Sequence, residues 1–216
     1  MKSVLLPAAV ALALATSGCS SMYYSGMEKI GIHKRDILVD RVEDTRDSQE
    51  EAQEQFASAL EQFASVVEIR DSDLKSAYES LNAEYEASEE AADEVSDRID
   101  DVEEVAEDLF EEWEDEIELY QNADLKRASQ YQLDETRTRY AQMLSSMHNA
   151  EKSMEPVLTT FRDNVLFLKH NLNAQAIGSL KGEFANLKSD IATLIEQMNQ
   201  SIDKSDEFIR DMREQG

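Results

Sequence analysis

The sequence predicts an all-α protein: an elongated, antiparallel up-down-up-down four-helix bundle with coiled-coil packing. The 216 residues include only six glycines and two prolines, too few for an all-β sandwich or barrel, which needs turn residues about every ten positions. Hydrophobic residues make up 41% of the chain, more than a disordered polyelectrolyte contains. Apolar residues also recur at alternating steps of three and four over long stretches, which is typical of helices packed as coiled coils.

Residues 1–18 are predicted to be a signal peptide. Residues 4–15 form an apolar run interrupted only by Pro7, and this run is too short to cross a bilayer as a helix. The small residues Ser17 and Gly18 lead directly into Cys19, a pattern that resembles the lipobox of bacterial lipoproteins. In that motif the cysteine is acylated and becomes the mature N-terminus. Ser20 in the next position implies sorting to the outer membrane.

Cys19 is the only cysteine, so the chain cannot form an internal disulfide. An unmodified thiol would be a liability in an oxidising periplasm, which favours acylation over the alternative of an ordinary signal peptide with an incidental cysteine. We therefore expect a membrane partner through an N-terminal lipid anchor, on the periplasmic face of the outer membrane. Residues 19–31 would form the lipidated tether, and residues 32–216 a single helical domain.

Four amphipathic segments fill that domain: residues 38–66, 74–120, about 125–172 and 177–212. In the second segment, twelve of the fourteen positions of the seam, the row of residues facing neighbouring helices, are apolar. That seam is expected to slip near its end, where Ile117 offers an apolar side chain instead of Glu116. The fourth seam is predicted to run through Met198 and Ile202.

Short breaks separate the segments and predict antiparallel neighbours. Between the second and third segments, Asn122 suits a left-handed helix end and Asp124 is predicted to cap the next helix. Before the fourth segment, Asn171 is expected to suit a left-handed helix end and Asn173 to cap the next helix. Pro156 is expected to bend or restart the third helix near residues 153–155.

Three stretches resemble a known protein family: residues 28–43 (EKIGIHKRDILVDRVE), 109–114 (LFEEWE) and 165–174 (VLFLKHNLNA). They are similar to a gammaproteobacterial lipoprotein family known only as domain of unknown function 2959, and the similarity extends over essentially the whole mature chain. The resemblance implies membership and an envelope location. It implies no activity, since the family has no assigned catalytic or binding residues.

No motif for catalysis, phosphate binding or metal binding occurs in the sequence. The histidines are His33, His148 and His170, and the last two are 22 residues apart, about 33 Å along a helix, so they cannot bind one metal ion. We therefore expect no enzyme activity, no catalytic residue, no metal site and no cofactor. Trp113 occupies a seam position and is expected to pack in the core.

The net charge of −26 makes a nucleic acid an unsuitable partner. Residues 84–118 contain nineteen acidic residues and one basic residue, Arg98. The simpler interpretation is a solvated helix face; the other is a strip that binds a basic partner or divalent cations. The residues of this acidic strip with a candidate interaction role are Glu103, Glu104, Glu107, Asp108, Glu111, Glu112, Glu114 and Asp115.

Two groups of basic residues are expected to lie beside the strip. Lys126, Arg127, Arg137 and Arg139 begin the third segment, and Lys29, His33, Lys34, Arg35 and Arg41 follow the tether. The second group could instead contact anionic headgroups, but we expect Lys34, Arg35 and Arg41 to neutralise Glu111, Glu112, Glu114 and Asp115.

Two classes of function agree with these features of the sequence. The first is a structural or interaction protein, a lipid-tethered helical rod that presents a helix face to a periplasmic protein partner. The second is a binding module or chaperone-like protein that uses a bundle groove or the acidic strip for a lipid, a peptide or a divalent cation. The sequence predicts neither the partner nor the oligomeric state.

Overall fold

The computed structural model describes residues 34–68 and 74–214. They form four helices: α1 (Lys34–Glu68), α2 (Leu74–Leu119), α3 (Ala123–His170) and α4 (Ala174–Glu214). These ranges contain no strand. The predicted signal peptide, the tether, Cys19 and Ser20 lie outside the described residues.

Each helix packs against two neighbours, in the cyclic order α1, α2, α3, α4. Lys34 lies against Glu112 and Arg41 against Asp101, so residue numbers rise along α1 as they fall along α2. The same opposition relates the other neighbours, because the connections between α2 and α3 and between α3 and α4 are only three residues long. The predicted all-α four-helix bundle is confirmed. At about 1.5 Å per residue, α2 and α3 are each roughly 70 Å long.

The seam of α1 is buried as the heptad pattern predicts. Its two phenylalanines, Phe56 and Phe63, are fully buried. The Phe63 ring stacks on Phe184 of α4 with centroids 5.9 Å apart and meets Phe161 of α3 edge-on at 6.2 Å. Aromatic contacts of this kind join three helices at one level of the core.

The seam of α2 slips earlier than predicted. Ile117 is buried and Glu116 exposed, as expected, but Phe110 is already buried where the strict heptad places Leu109, which is only half-buried. Val105 and Ala106 are both buried just before this change. The reason is geometric: a helix with 3.6 residues per turn drifts relative to a 3.5-residue repeat until the adjacent row faces the core.

The predicted seam position Ile202 of α4 is wrong by one residue. Ser201 and Ser205 are fully buried, whereas Ile202 is half-buried. The steps from Met198 through Ser201 and Ser205 to Phe208 keep the three-four alternation, and this spacing decides which side chains face inward even when they are polar.

Two predictions about the helix ends of α3 are wrong. Asn122, not Asp124, caps α3: its backbone is extended and its side-chain oxygen accepts hydrogen bonds from the N–H groups of Asp124 and Leu125. Asn171 ends α3 with φ −130, outside the left-handed region. Asn173 caps α4 as expected, accepting hydrogen bonds from two N–H groups of its first turn.

Pro156 does not restart α3, which runs unbroken from Ala123 to His170. Proline lacks the N–H that would bond to the carbonyl four residues earlier, and its ring crowds that carbonyl. Buried contacts on both sides of it, at Met154 and Val157, hold the helix together across the lost hydrogen bond.

Among the described residues, only α2 and α3 reach one end of the bundle. The Lys34–Glu112 pair is at the start of α1, so residues 113–119 of α2 extend past the described part of α1. Arg139 of α3 pairs with Asp211, three residues before α4 ends, so residues of α3 before about 136 extend past α4. We call residues 113–119 and 123–135 the overhanging hairpin. Of the helices described, none is long and apolar enough to cross a membrane.

Candidate interaction surface

The acidic residues are concentrated on α2, which carries twenty acidic side chains and two basic ones. Its apolar row faces the core, so the charges occupy the two flanks and the outer face. The outer residues of the acidic strip, Glu104, Glu107, Glu111 and Asp115, recur every three or four residues and are exposed. Within the described ranges no salt bridge or hydrogen bond involves these four side chains, so their charge faces solvent.

The flank of the strip that faces α1 is partly neutralised. Nζ of Lys34 lies 3.1 Å from Oε2 of Glu112 and donates to the carbonyl oxygen of Asp108 at 3.3 Å. Arg41 reaches Asp101 at 3.7 Å. The predicted contact of Lys34 with Glu112 is therefore present. Arg41 instead pairs with Asp101, which precedes the predicted partners at residues 111–115. Lys29 and His33 lie outside the described residues.

Arg35 does not contact the strip, contrary to the prediction. Its guanidinium donates to the carbonyl oxygen of Met212 at 2.8 Å, in the last turn of α4. The start of α1 lies between α2 and α4, and carbonyls at a helix C-terminus lack intrahelical donors and attract cations. Burial lowers the pKa of Arg35 from its ordinary value.

The flank that faces α3 is partly neutralised as well. Arg137 pairs with Glu114 and lies over the ring of Phe110, 5.2 Å from its centroid, and Lys126 pairs with Glu118 at 2.9 Å. The other two predicted bases do not face the strip, because Arg127 pairs with Asp124 of its own helix and Arg139 with Asp211 of α4.

Trp113 packs against α3 at the base of the overhanging hairpin. Its Nε1 donates to Oγ of Ser129 at 2.9 Å, and the ring is half-buried against the core. One turn into the bundle, Phe110 meets Tyr140 edge-on at 5.3 Å. Burial raises the pKa of Tyr140 above its ordinary value. These contacts agree with the predicted packing role of Trp113.

His148 joins α2 to α3 through two carboxylates. Its Nε2 lies 3.1 Å from Glu103 and its Nδ1 3.0 Å from Glu151. The hydrogen bond with Glu151 raises the pKa of His148, against the opposing effect of burial, and the bond with Glu103 adds to the rise. Ser96 donates to Glu151 at 2.7 Å. For the part of the chain that the structure describes, no group of three or more His, Cys, Asp or Glu side chains is arranged to hold a metal ion.

A groove lies between α2 and α3, a location that the sequence did not predict. It has a volume of about 380 Å³. Its lining has an apolar part that includes Ala92, Met154 and Leu158, and an acidic part that consists of Glu89, Asp93, Glu151 and Glu155. Tyr85 closes one end and donates its hydroxyl hydrogen to Glu89 at 2.7 Å. The sequence signal was the small side chain of Ala92, a buried residue of α2 that lines the groove.

The fold and these surfaces define a class: an acidic, all-α four-helix bundle in which one helix carries most of the negative charge. Residues 23–212 match the family described as "Protein of unknown function (DUF2959)", and the chain belongs to that family. No curated protein and no solved structure matches the chain.

Proposed function

We propose that this protein is a lipoprotein of the outer membrane, anchored on the periplasmic face, whose helical rod binds a basic protein partner through the acidic strip of α2. The observation that carries the proposal is the outer row of the strip, where Glu104, Glu107, Glu111 and Asp115 face solvent without described ion-pair partners. Like charges at this spacing destabilise a helix by a few tenths of a kcal/mol per pair. A cationic partner would offset that cost and would be steered to the surface by its field.

The anchor is supported by the sequence pattern that ends in Gly18, Cys19 and Ser20. Two or more acyl chains on one N-terminus give stable membrane attachment, whereas a single chain gives only marginal attachment. Changing Cys19 to Ala should release the protein from the membrane fraction or stall signal processing. Fractionation of the variant with the outer membrane as for the wild type would contradict lipid anchoring.

We propose a binding role without catalysis. The sequence carries no catalytic motif, and both ring nitrogens of His148 are in contact with carboxylates. The role of such a rod is to position a partner at a distance from the membrane. The three motif stretches resemble a gammaproteobacterial lipoprotein family, and this resemblance supports a periplasmic location.

The test is crosslinking and pull-down from intact membranes. A strip variant replaces Glu104, Glu107, Glu111 and Asp115 with Gln or Asn, and a matched control replaces four exposed acids of α1: Glu50, Glu51, Glu54 and Glu61. Both variants lose four negative charges. We expect the strip variant to lose the crosslinked partner and the control to keep it. Equal retention by both variants would contradict the strip as the binding surface.

The groove between α2 and α3 favours a second function, a module that binds a cationic amphipathic peptide. Its apolar part would bury apolar side chains, and its carboxylates would pair with Lys or Arg. A Lys/Leu helical peptide should raise the melting temperature in proportion to the logarithm of its concentration. Ala92→Leu should fill the groove and abolish the shift, whereas Ala83→Leu, on an exposed position outside the groove, should not.

A further inference from the structure

The overhanging hairpin carries several of the large apolar side chains that the described residues leave exposed. Leu119 is 75% exposed, Leu125 54% and Tyr131 67%. Tyr120, in the connection, is 43% exposed. All four lie within one short stretch of the chain, and exposed apolar side chains of this size mark places that other chain segments or partners cover.

Leu119 belongs to the row of α2 that faces α1. Leu119 lies seven residues after Glu112, and residues seven apart project from nearly the same side of a helix. Glu112 contacts Lys34 at the start of α1, so Leu119 lies on the side of α2 that faces α1, two turns further along. The row of α2 that contacts α1 therefore continues past the described part of α1.

The chain before α1 has the length and chemistry to cover this row. The family match begins at residue 23, eleven residues before α1, so the shared domain includes residues 23–33 and is not limited to the four helices described. This segment contains the apolar residues Tyr23, Tyr24, Met27, Ile30 and Ile32. If the chain before Lys34 kept the antiparallel register of Lys34 and Glu112 at helical spacing for seven residues, Met27 would lie at the level of Leu119.

We propose that residues 23–33 dock on the overhanging hairpin along α2, with Met27 against Leu119. The inference goes beyond the proposed function, because it does not depend on lipidation or on a protein partner. Together with an acylated Cys19, it would leave only residues 20–22 as a free tether. The rod would then be held close to the membrane at the hairpin end, and the acidic strip would keep a defined height above the lipid.

A cysteine pair tests the register. In the full chain with Cys19→Ser, the variant Met27→Cys with Leu119→Cys should form an intramolecular disulfide on mild oxidation, measured by mass spectrometry of the linked peptides. The matched control, Met27→Cys with Glu118→Cys, has its second thiol at the same level but on the flank that faces Lys126 of α3, and should not crosslink. Equal crosslinking in both variants, or in neither, would overturn the proposal. A disulfide-linked dimer from Leu119→Cys alone would assign the surface to a second copy and would also overturn it.

Trp113 supplies a second, independent measurement. It is the only tryptophan and lies at the base of the overhanging hairpin, next to the level of Lys34. Ile30→Asp should displace the segment and increase acrylamide quenching of Trp113 at least twofold, whereas Leu172→Asp, at the opposite end of the bundle, should leave it unchanged. Unchanged quenching in Ile30→Asp would overturn the proposal. A fall in the quenching of the Cys19→Ser chain on adding zwitterionic lipid vesicles would show that a membrane covers the hairpin instead.

Discussion

Buried polar residues occur together at one level of the core, near the middle of α1. Thr45 is fully buried and donates to the carbonyl oxygens of Arg41 and Arg98. Gln49, one turn further on, is also fully buried, but neither its amide nitrogen nor its amide oxygen has a partner among the described residues. The pairs Arg46–Asp206 and Gln53–Asn199 bracket Gln49 and bring Ser201 and Ser205 to the same level.

Replacing Gln49 with Leu should stabilise the bundle. The change removes two buried polar atoms without partners and fills the same space, so we expect the free energy of unfolding to rise by about 1–3 kcal/mol. Chemical denaturation followed by circular dichroism measures the effect. Gln53→Leu is the control, because Gln53 is half-buried and donates to Asn199, and it should give no gain. A destabilised Gln49→Leu variant would mean that the amide makes favourable contacts in solution.

His148 should make stability depend on pH in the neutral range. Its pKa is raised in the folded state, so its contribution is fully present below the unfolded value of about 6.5 and is lost as the pH rises through the higher folded value. The wild type should therefore melt at a lower temperature at pH 8 than at pH 6. In His148→Gln the difference should shrink, and Glu103→Gln should reduce it too. An undiminished difference in both variants would assign the effect to another group.

At the scale of elements, α3 is the helix whose sequence and structure agree least. Pro156 lies on its exposed side and removes one helical hydrogen bond. The helix continues because Met154 and Val157 are buried on the other side, and tertiary packing contributes more to helix stability than local propensity does.

Replacing Pro156 with Ala should raise the free energy of unfolding by about 1–3 kcal/mol, since Ala restores the N–H and relieves the clash with the preceding turn. Melting followed by circular dichroism would show the gain. Glu155→Ala is the matched control, because it changes the neighbouring exposed residue and should have little effect. A lower melting temperature for Pro156→Ala would show that the packing of α3 needs a bend there.

For the whole molecule, charge is distributed unevenly around the bundle. α2 carries twenty acidic and two basic residues, whereas α3 carries six and seven. Lys34 and Arg41 join α1 to the acidic helix by ion pairs, whereas Arg35 joins it to the end of α4 through a backbone carbonyl. The bundle therefore combines salt-sensitive and salt-resistant contacts at the start of α1.

The double variant Lys34→Gln with Arg41→Gln should lower the melting temperature in dilute buffer, and the loss should shrink in 1 M salt because both ion pairs are partly open to solvent and are screened by salt. Arg35→Gln should also lower it, but most of that loss should persist in salt, since the bond to Met212 is partly buried and has a neutral acceptor. In the double variant, the loss of each ion pair should cost about 1 kcal/mol or less. A salt-insensitive loss in the double variant would contradict this division.

The sequence alone was enough to predict four antiparallel helices and most of the buried residues. Apolar side chains at three-four spacing can be buried together only on one side of a helix, and this local rule placed Phe56 and Phe63 in the core. The short connections could be predicted because the apolar spacing is interrupted there. The acidic strip was also visible, because a run of like charges depends on no distant residue.

The tertiary structure decided features that depend on the neighbouring helices. Ser201 is buried in place of Ile202, and Phe110 in place of Leu109, because the accumulated drift of a real helix against a heptad sets which row faces inward. Arg35 reaches α4 instead of the acidic strip because the helix ends meet there. The groove depends on which residues of α2 and α3 lie side by side, and the overhanging hairpin on how far the described helices extend beside one another. No local pattern within one helix records either feature.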